Sequence, residues 1–188
     1  MLDPDKQERI GRHLEQALPA STVEIAHIRR FHGGASRETY SLDVLADGQP
    51  MGLILRCDPE DSLIDTAREL EFAAYRSFEG SPVPVPRAVS LVETTGLIGT
   101  AFFIMERIEG GEAAGPMDPA AYGEHKPEIG RQFFTLLGHI HAADPLSSPL
   151  ASVVDCPEQS RCWQRELDYW QGVIEKDRLE PEPIAAAA

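Results

Sequence analysis

The residues best suited to chemistry are two adjacent glycines, Gly33 and Gly34, followed closely by Ser36. They lie between two segments that alternate like β-strands, which places them at the tip of a predicted hairpin. Glycines at such a tip let backbone N–H groups approach phosphate oxygens, because no Cβ is in the way, and the Ser36 hydroxyl adds a donor. The run has neither the Lys of a Walker loop nor the GxGxxG spacing. A glycine pair alone is also typical of an ordinary turn.

A cation and two acids follow at suitable distances. Arg56 ends a short apolar strand, from which its side chain could meet the α- and β-phosphates of a nucleotide. Glu69 and Glu71 follow on a predicted helix, and either could fix Arg56 through an ion pair. Glu71 is preferred because it shares a helical face with the apolar residues that should contact the sheet. Taken one at a time, each of these charges is equally typical of a solvated surface.

A third group lies in the run from Phe102 to Gly110. The strand predicted at 101–108 is apolar on both faces, which favours a central position in a sheet. It leads into a glycine-rich linker, Gly110–Gly115, where free backbone groups could read the edge of an adenine. Met105 and Ile108 would then enclose the ring, although Met105 is also typical of a simple core residue.

The predicted elements place all three groups on one sheet. Strands at 23–31, 39–44 and 51–56, joined by turns such as Asp47-Gly48, form an antiparallel meander, and strands at 89–93 and 101–108 extend it. Helices are predicted at 4–18, 62–78 (capped by Ser62), 127–142 and 159–176. The fold class is therefore α+β. We expect a first lobe at 1–109, a linker at 110–117 and a helical part at 118–188.

The composition limits the classes of partner. Hydrophobic residues make up 42% of the 188, enough for a packed core, and the net charge is −14. This charge disfavours nucleic acid and anionic membranes as partners, and it would attract a cationic substrate or simply keep the surface solvated. Three cysteines without metal-like spacing, and no apolar leader at the N-terminus, predict a cytoplasmic protein.

Taken in order, these motifs resemble the aminoglycoside phosphotransferase-like family of small-molecule kinases, which share the protein-kinase fold. The matching runs span about residues 25 to 145 and are Gly33-Gly34-Ala35-Ser36-Arg37-Glu38-Thr39-Tyr40, Leu53-Ile54-Leu55-Arg56, Glu71 to Phe78 with the Pro82–Pro86 connector, Phe102 to Gly110, and Leu136 to Pro145. Their local character is similar to the branch fused to, or found beside, acyl-CoA dehydrogenases.

The resemblance implies a kinase-like N-lobe followed by the first helices of a truncated C-lobe. It implies ATP or GTP with Mg²⁺ as cofactor, and a small-molecule hydroxyl as the phosphate acceptor, either an amino sugar or a hydroxyl-bearing acyl compound. By family pattern Gly33, Gly34 and Ser36 would cover the phosphates, and Arg56 would stand where most kinases have Lys, with Glu71 as its partner. Met105 would guard the pocket, while the backbone of Glu106 and Ile108 would bond the base.

One departure from the family pattern is severe. The family continues with His-Gly-Asp, an Asn five residues later and a metal-binding Asp, yet this chain contains no Asn at all. No catalytic or metal-binding residue is therefore assigned, and the 188-residue chain alone is predicted to be inactive. A degenerate nucleotide-binding or regulatory module, and a plain α+β domain, remain as alternatives. The apolar stripes of the last two helices also predict a homo-oligomer or another contact through an exposed helical surface.

Overall fold

The computed structural model describes residues 2–31, 38–57, 68–111 and 122–177. Five antiparallel strands form one sheet in the order β1-β2-β3-β5-β4. The strands are β1 (Val23–Phe31), β2 (Glu38–Ala46), β3 (Gln49–Cys57), β4 (Ala88–Val92) and β5 (Phe102–Glu106), and the α-helices are α1 (Pro4–Ala17), α2 (Arg68–Phe78), α3 (Lys126–Ala142) and α4 (Cys162–Asp177). The predicted α+β class with a five-stranded antiparallel sheet is confirmed.

The chain divides into two compact units, residues 1–153 and 154–188. The first contains the sheet with α1, α2 and α3, and the second contains α4. The linker predicted at 110–117 lies mostly outside the described residues, as do Ser62 and the predicted start of α2. The lobe boundary therefore stays a prediction.

Several predicted element boundaries differ from those of the structure by one to three residues. β5 begins at Phe102 and ends at Glu106, so Arg107 and Ile108 lie beyond the strand. The fourth helix begins at Cys162, because the preceding Gln159–Arg161 form a short 3₁₀ turn. Helix ends commonly tighten in this way, and hydrophobic periodicity does not distinguish a 3₁₀ turn from the first turn of an α-helix.

Local sequence explains where the first elements begin and turn. The Asp3 carboxylate caps α1 by accepting a 2.8 Å hydrogen bond from the Lys6 amide, and Pro4 occupies the first turn. Asp47 and Gly48 join β2 to β3 with φ values of 48° and 77°, the left-handed pair that a two-residue hairpin needs. Backbone N–H groups of Ser21 and Thr22 bond the Asp47 carboxylate and lower its pKa.

The two faces of the sheet differ in how they are covered. The face toward α1, here called the α1 face, has a fully buried centre: Leu42 of β2, Leu53 and Leu55 of β3 and Ile104 of β5 belong to one core cluster with Ile10 and Leu14 of α1. The opposite face, here called the α2 face, is covered only in part by α2. It carries Thr39, Ser41 and Asp43 of β2, Gly52, Ile54 and Arg56 of β3, and Phe103 and Met105 of β5.

Both outer strands are irregular. The pairing of β1 with β2 shifts register between Ile25 and His27. The pairing of β4 with β5 shifts between Ala88 and Ser90. The central strands β3 and β5 keep a regular register from Leu53–Glu106 to Cys57–Phe102, so the residues of the α2 face are held in fixed rows.

Candidate functional site

A charged pair occupies the α2 face where β3 approaches α2. Arg56 Nη1 forms an ion pair with Glu71 Oε1, and the two side chains are only 26% and 19% exposed. The Arg56 guanidinium also lies 5.8 Å from the centroid of the Phe103 ring. Glu69, the other candidate on the same helix, is exposed. The preferred partner of Arg56 is thus the one that the structure places beside it.

Aromatic packing supports the ion pair between Arg56 and Glu71. The Phe103 ring is fully buried and contacts two rings of α2, Phe72 edge-on at a centroid distance of 6.1 Å and Tyr75 in a tilted arrangement at 6.2 Å. Since β5 pairs with β3, the same ring that anchors α2 supports the Arg56 guanidinium. The cation is therefore presented in a defined place on a partly open face.

Gly33, Gly34 and Ser36 lie outside the described residues, so their predicted role stays a prediction. The strand ends that flank them are well defined. Glu38, at the start of β2, accepts a 2.8 Å hydrogen bond from the Tyr40 hydroxyl and pairs with Arg30 at 2.6 Å. Burial, and then the hydrogen bond to Glu38, raise the pKa of Tyr40 to about 12, which keeps its hydroxyl a donor.

The same end of the sheet holds Arg56. Thr39, which follows Glu38, pairs with Phe31 on one side and with Arg56 on the other. The start of β2 therefore lies next to Arg56, and the end of β1 lies one strand further away.

The three predicted base-contacting residues have different positions. Met105 lies opposite Ile54, half-buried on the α2 face and two residues beyond the Phe103 that pairs with Arg56. The Glu106 amide donates to the Arg87 carbonyl at 2.9 Å, so the Glu106 group suited to a base is its carbonyl oxygen. The Glu106 side chain lies on the other face, where it pairs with Arg87 at 2.8 Å. Ile108 lies beyond β5 and is 75% exposed.

Sequence reasoning missed a cluster at the far end of the same face. Arg107 Nη1 donates to Ser41 Oγ and to Asp43 Oδ1, both at 2.6 Å, and Arg107 Nε donates to Glu109 Oε1 at 2.7 Å. The hydrogen bonds to Asp43 and then to Glu109 raise the pKa of Arg107 above its ordinary value. The signal that could have found the cluster is Gly52, a glycine inside an apolar strand, which often marks a close approach by another group.

The described residues contain no group of three or more His, Cys, Asp or Glu side chains placed to hold a metal ion. Asp144, which follows α3, instead caps the next turn: its carboxylate accepts from the Ser147 hydroxyl and from the Leu146 amide at 3.0 Å. Both bonds lower its pKa. Among the described helices, none combines the length and apolar character needed to cross a bilayer.

Comparison with known proteins agrees with this geometry. The model of the phosphotransferase enzyme family matches residues 27–182, a range that includes Arg56, Glu71 and the whole of β5. This chain belongs to the phosphotransferase enzyme family. The crystal structure of a putative aminoglycoside phosphotransferase from Ralstonia eutropha JMP134 superposes with a TM-score of 0.69 at 21% identity, covering 94% of this chain and 49% of that one. This likeness confirms the kinase-like fold expected of the family.

Two curated relatives of this phosphotransferase chain carry acyl-CoA dehydrogenase names. Mouse acyl-CoA dehydrogenase family member 10 is 28% identical over 166 residues, which cover 85% of this chain and 15% of the mouse protein. The probable acyl-CoA dehydrogenase IBR3 of Arabidopsis thaliana is 32% identical over 146 residues, which cover 76% of this chain and 17% of the plant protein. The chain thus spans less than a fifth of each relative, and the resemblance to the branch associated with acyl-CoA dehydrogenases is confirmed.

Proposed function

We propose that this chain is the nucleotide-binding part of a phosphotransferase that transfers phosphate from ATP or GTP to a hydroxyl group of a small molecule. The observation that carries the proposal is the ion pair between Arg56 and Glu71 on the partly covered face of the sheet, in a chain that belongs to a phosphotransferase family. Such a pair holds a cation where nucleotide phosphates approach it in kinase-like folds.

The described residues include a side chain suited to binding phosphate oxygens, but no group of side chains suited to binding a metal ion. A guanidinium supported by a carboxylate and an aromatic ring can bind phosphate oxygens through two N–H donors at once. No cluster of metal ligands exists among the described residues, and the sequence has no Asn to serve as one. We therefore assign Arg56 to the phosphates and derive no step through Mg²⁺, which in the proposal accompanies the nucleotide in the complete enzyme.

The base would lie at the other end of the site. In this proposal the Glu106 carbonyl accepts a hydrogen bond from the base and the Ile108 backbone bonds its edge, while Met105 and Ile54 contact the ring. Gly33, Gly34 and Ser36 would close over the phosphates from the segment that joins β1 to β2. Adenine, which carries an amino group where guanine carries a carbonyl, would suit the Glu106 oxygen better.

For the acceptor we propose a hydroxyl-bearing acyl compound rather than an amino sugar. The support is the naming of both curated relatives as acyl-CoA dehydrogenases. For the location we propose the cytoplasm, since all three cysteines are free thiols, as is usual in a reducing compartment.

Titration calorimetry with ATP and with GTP tests the nucleotide proposal. The wild-type chain should bind at least one of them, and Arg56→Met should weaken binding at least tenfold, since a charge-assisted contact to phosphate is lost. Arg87→Met is the matched control, because Arg87 also forms an ion pair with a strand glutamate but lies on the other face. No heat with either nucleotide, or equal affinities for wild type and Arg56→Met, would refute the proposal.

A second candidate is a nucleotide-binding regulatory module without catalysis. The same ion pair between Arg56 and Glu71 can hold the phosphates of a nucleotide without any transfer of phosphate. The two candidates differ in the mass of the natural gene product. A protein much heavier than 20.7 kDa that hydrolyses or transfers the γ-phosphate supports the enzyme, whereas nucleotide binding by a product of this mass supports the module.

We also propose that the apolar faces of the helices mediate self-association. Large side chains of α3 and α4 are exposed, among them Phe133, Phe134, Trp163 and Trp170. Large apolar side chains exposed on a helix often mark an interaction site, and each of the two helices carries several. Light scattering should give a mass above the 20.7 kDa of one chain, and a monodisperse monomer would contradict the proposal.

A further inference from the structure

The Arg107 side chain folds back onto the sheet instead of extending into solvent. A Cβ at Gly52 would lie 2.7 Å from Arg107 Nε and from Arg107 Nη2, and closer still to Glu109 Oε1. The guanidinium therefore occupies the space that a side chain at position 52 would fill. The Arg107 amide also donates to the Gly52 carbonyl at 2.9 Å, so backbone and side chain are fixed at the same point.

Protein groups engage Nη1 and Nε of this guanidinium, so its plane is held in a fixed orientation. Nη1 bonds Ser41 and Asp43, and Nε bonds Glu109. Ser41 is almost fully buried beneath it, whereas the Arg107 side chain keeps 25% of its surface exposed. Two carboxylates offset its charge, which leaves little attraction for a phosphate. The group is therefore suited to contact through its planar face rather than through its charge.

Arg56 and Arg107 are separated on the α2 face by a distance similar to that between the phosphates and the base of a nucleotide. Gly52 precedes Arg56 by four residues on β3, a separation of about 13 Å along an extended strand, and both face the same side of the sheet. Ile54 lies between them on β3, and Met105 lies opposite Ile54 on β5. The face thus presents, in order, a cation for phosphates, an apolar centre and a clamped planar guanidinium next to the segment that leaves β5.

We propose that Arg107 is a specificity-determining residue of the nucleotide site, and that the base stacks on its guanidinium. The inference rests on the proposed nucleotide-binding function and adds a residue to it. A guanidinium plane can stack on the face of an aromatic ring. Since this contact involves the base alone, Arg107 contributes to the binding of a nucleoside triphosphate and not to the binding of its phosphate chain.

The test compares MgATP with magnesium tripolyphosphate as ligands of the 188-residue chain, by titration calorimetry. Arg107→Met should weaken MgATP about tenfold and leave tripolyphosphate unchanged, because only the stacking contact is lost. Arg56→Met should weaken both ligands. Arg87→Met, on the opposite face, should change neither.

A second variant tests the position of the Arg107 guanidinium without removing its charge. Gly52→Ala keeps every charge, but its Cβ would displace the flexible ends of Arg107 and Glu109 from the sheet. We expect it to lose MgATP affinity about as much as Arg107→Met while its circular dichroism spectrum stays that of the wild type.

The outcomes distinguish the two proposals. Wild-type MgATP affinity in both Arg107→Met and Gly52→Ala, or equal losses for MgATP and tripolyphosphate, overturns the role of Arg107 while nucleotide binding stands. A wild-type chain that binds no nucleotide overturns both.

Discussion

The ion pair between Arg56 and Glu71 should measurably stabilise the first unit against unfolding, in addition to its proposed role in binding a ligand. Two opposite charges in contact attract by about 4 kcal/mol at an effective dielectric constant of ~20, and desolvation and side-chain ordering offset roughly half of this. With exposures of 26% and 19%, the pair is buried enough to escape most solvent screening. We therefore expect a coupling free energy of about 2 kcal/mol.

A double-mutant cycle measures this coupling. Urea unfolding followed by circular dichroism would be recorded for wild type, Arg56→Met, Glu71→Gln and the double variant. Each single variant should lower the free energy of unfolding, and the double variant should cost little more than the worse single one. Additive single effects would refute the reasoning, because they would mean that the two side chains do not interact.

The chain supplies a matched control for this cycle. Arg87 and Glu106 form an ion pair at 2.8 Å on the same sheet, but they are 42% and 39% exposed. Exposed pairs of this kind contribute only about 0.5 kcal/mol, since water screens them. The cycle for Arg87→Met and Glu106→Gln should therefore give a clearly smaller coupling than the cycle for Arg56 and Glu71.

Three further outcomes are expected. Phe102→Ala should cost about 3–5 kcal/mol of unfolding free energy because the ring is fully buried, while Leu146→Ala at an exposed position outside the α-helices should cost almost nothing in the same urea titration. Burial raises the pKa of Cys57 to about 12, so at pH 8 a thiol reagent should label exposed Cys162 quickly and Cys57 only after unfolding, as read by mass spectrometry of peptides. Burial lowers the pKa of His13 below 6.5, so protons bind the unfolded chain preferentially and stability should fall as pH drops through that value, less steeply in His13→Gln.

The pairing of Arg56 with Glu71 could be predicted because both residues belong to periodic elements. Strand alternation decides which face Arg56 takes, and the 3.6-residue helical period decides that Glu71, and not Glu69, turns toward the sheet. The central position of β5 followed from the same logic, since Phe102, Phe103 and Ile104 are apolar on both faces and are fully buried.

The Arg107 cluster could not be predicted by periodicity, because it joins residues of two strands and of the segment after a third. Its bonds to Ser41 and Asp43 depend on the register of β2 with β3, which the sequence specifies only through the completed sheet. Ile98 was missed for a related reason. It lies between the strands predicted at 89–93 and 101–108, yet it is only 2% exposed, because it packs against the hydrophobic core.

The irregular outer strands affect how the protein can aggregate. An uninterrupted outer strand offers a row of unpaired amides and carbonyls to a strand of another molecule, which is how sheets grow into fibres. Here β1 is twisted by its register shift and carries charged side chains such as Glu24 and Arg30, and β4 is only five residues long with a shift of its own. These features disfavour the addition of a strand from another molecule at both margins of the sheet.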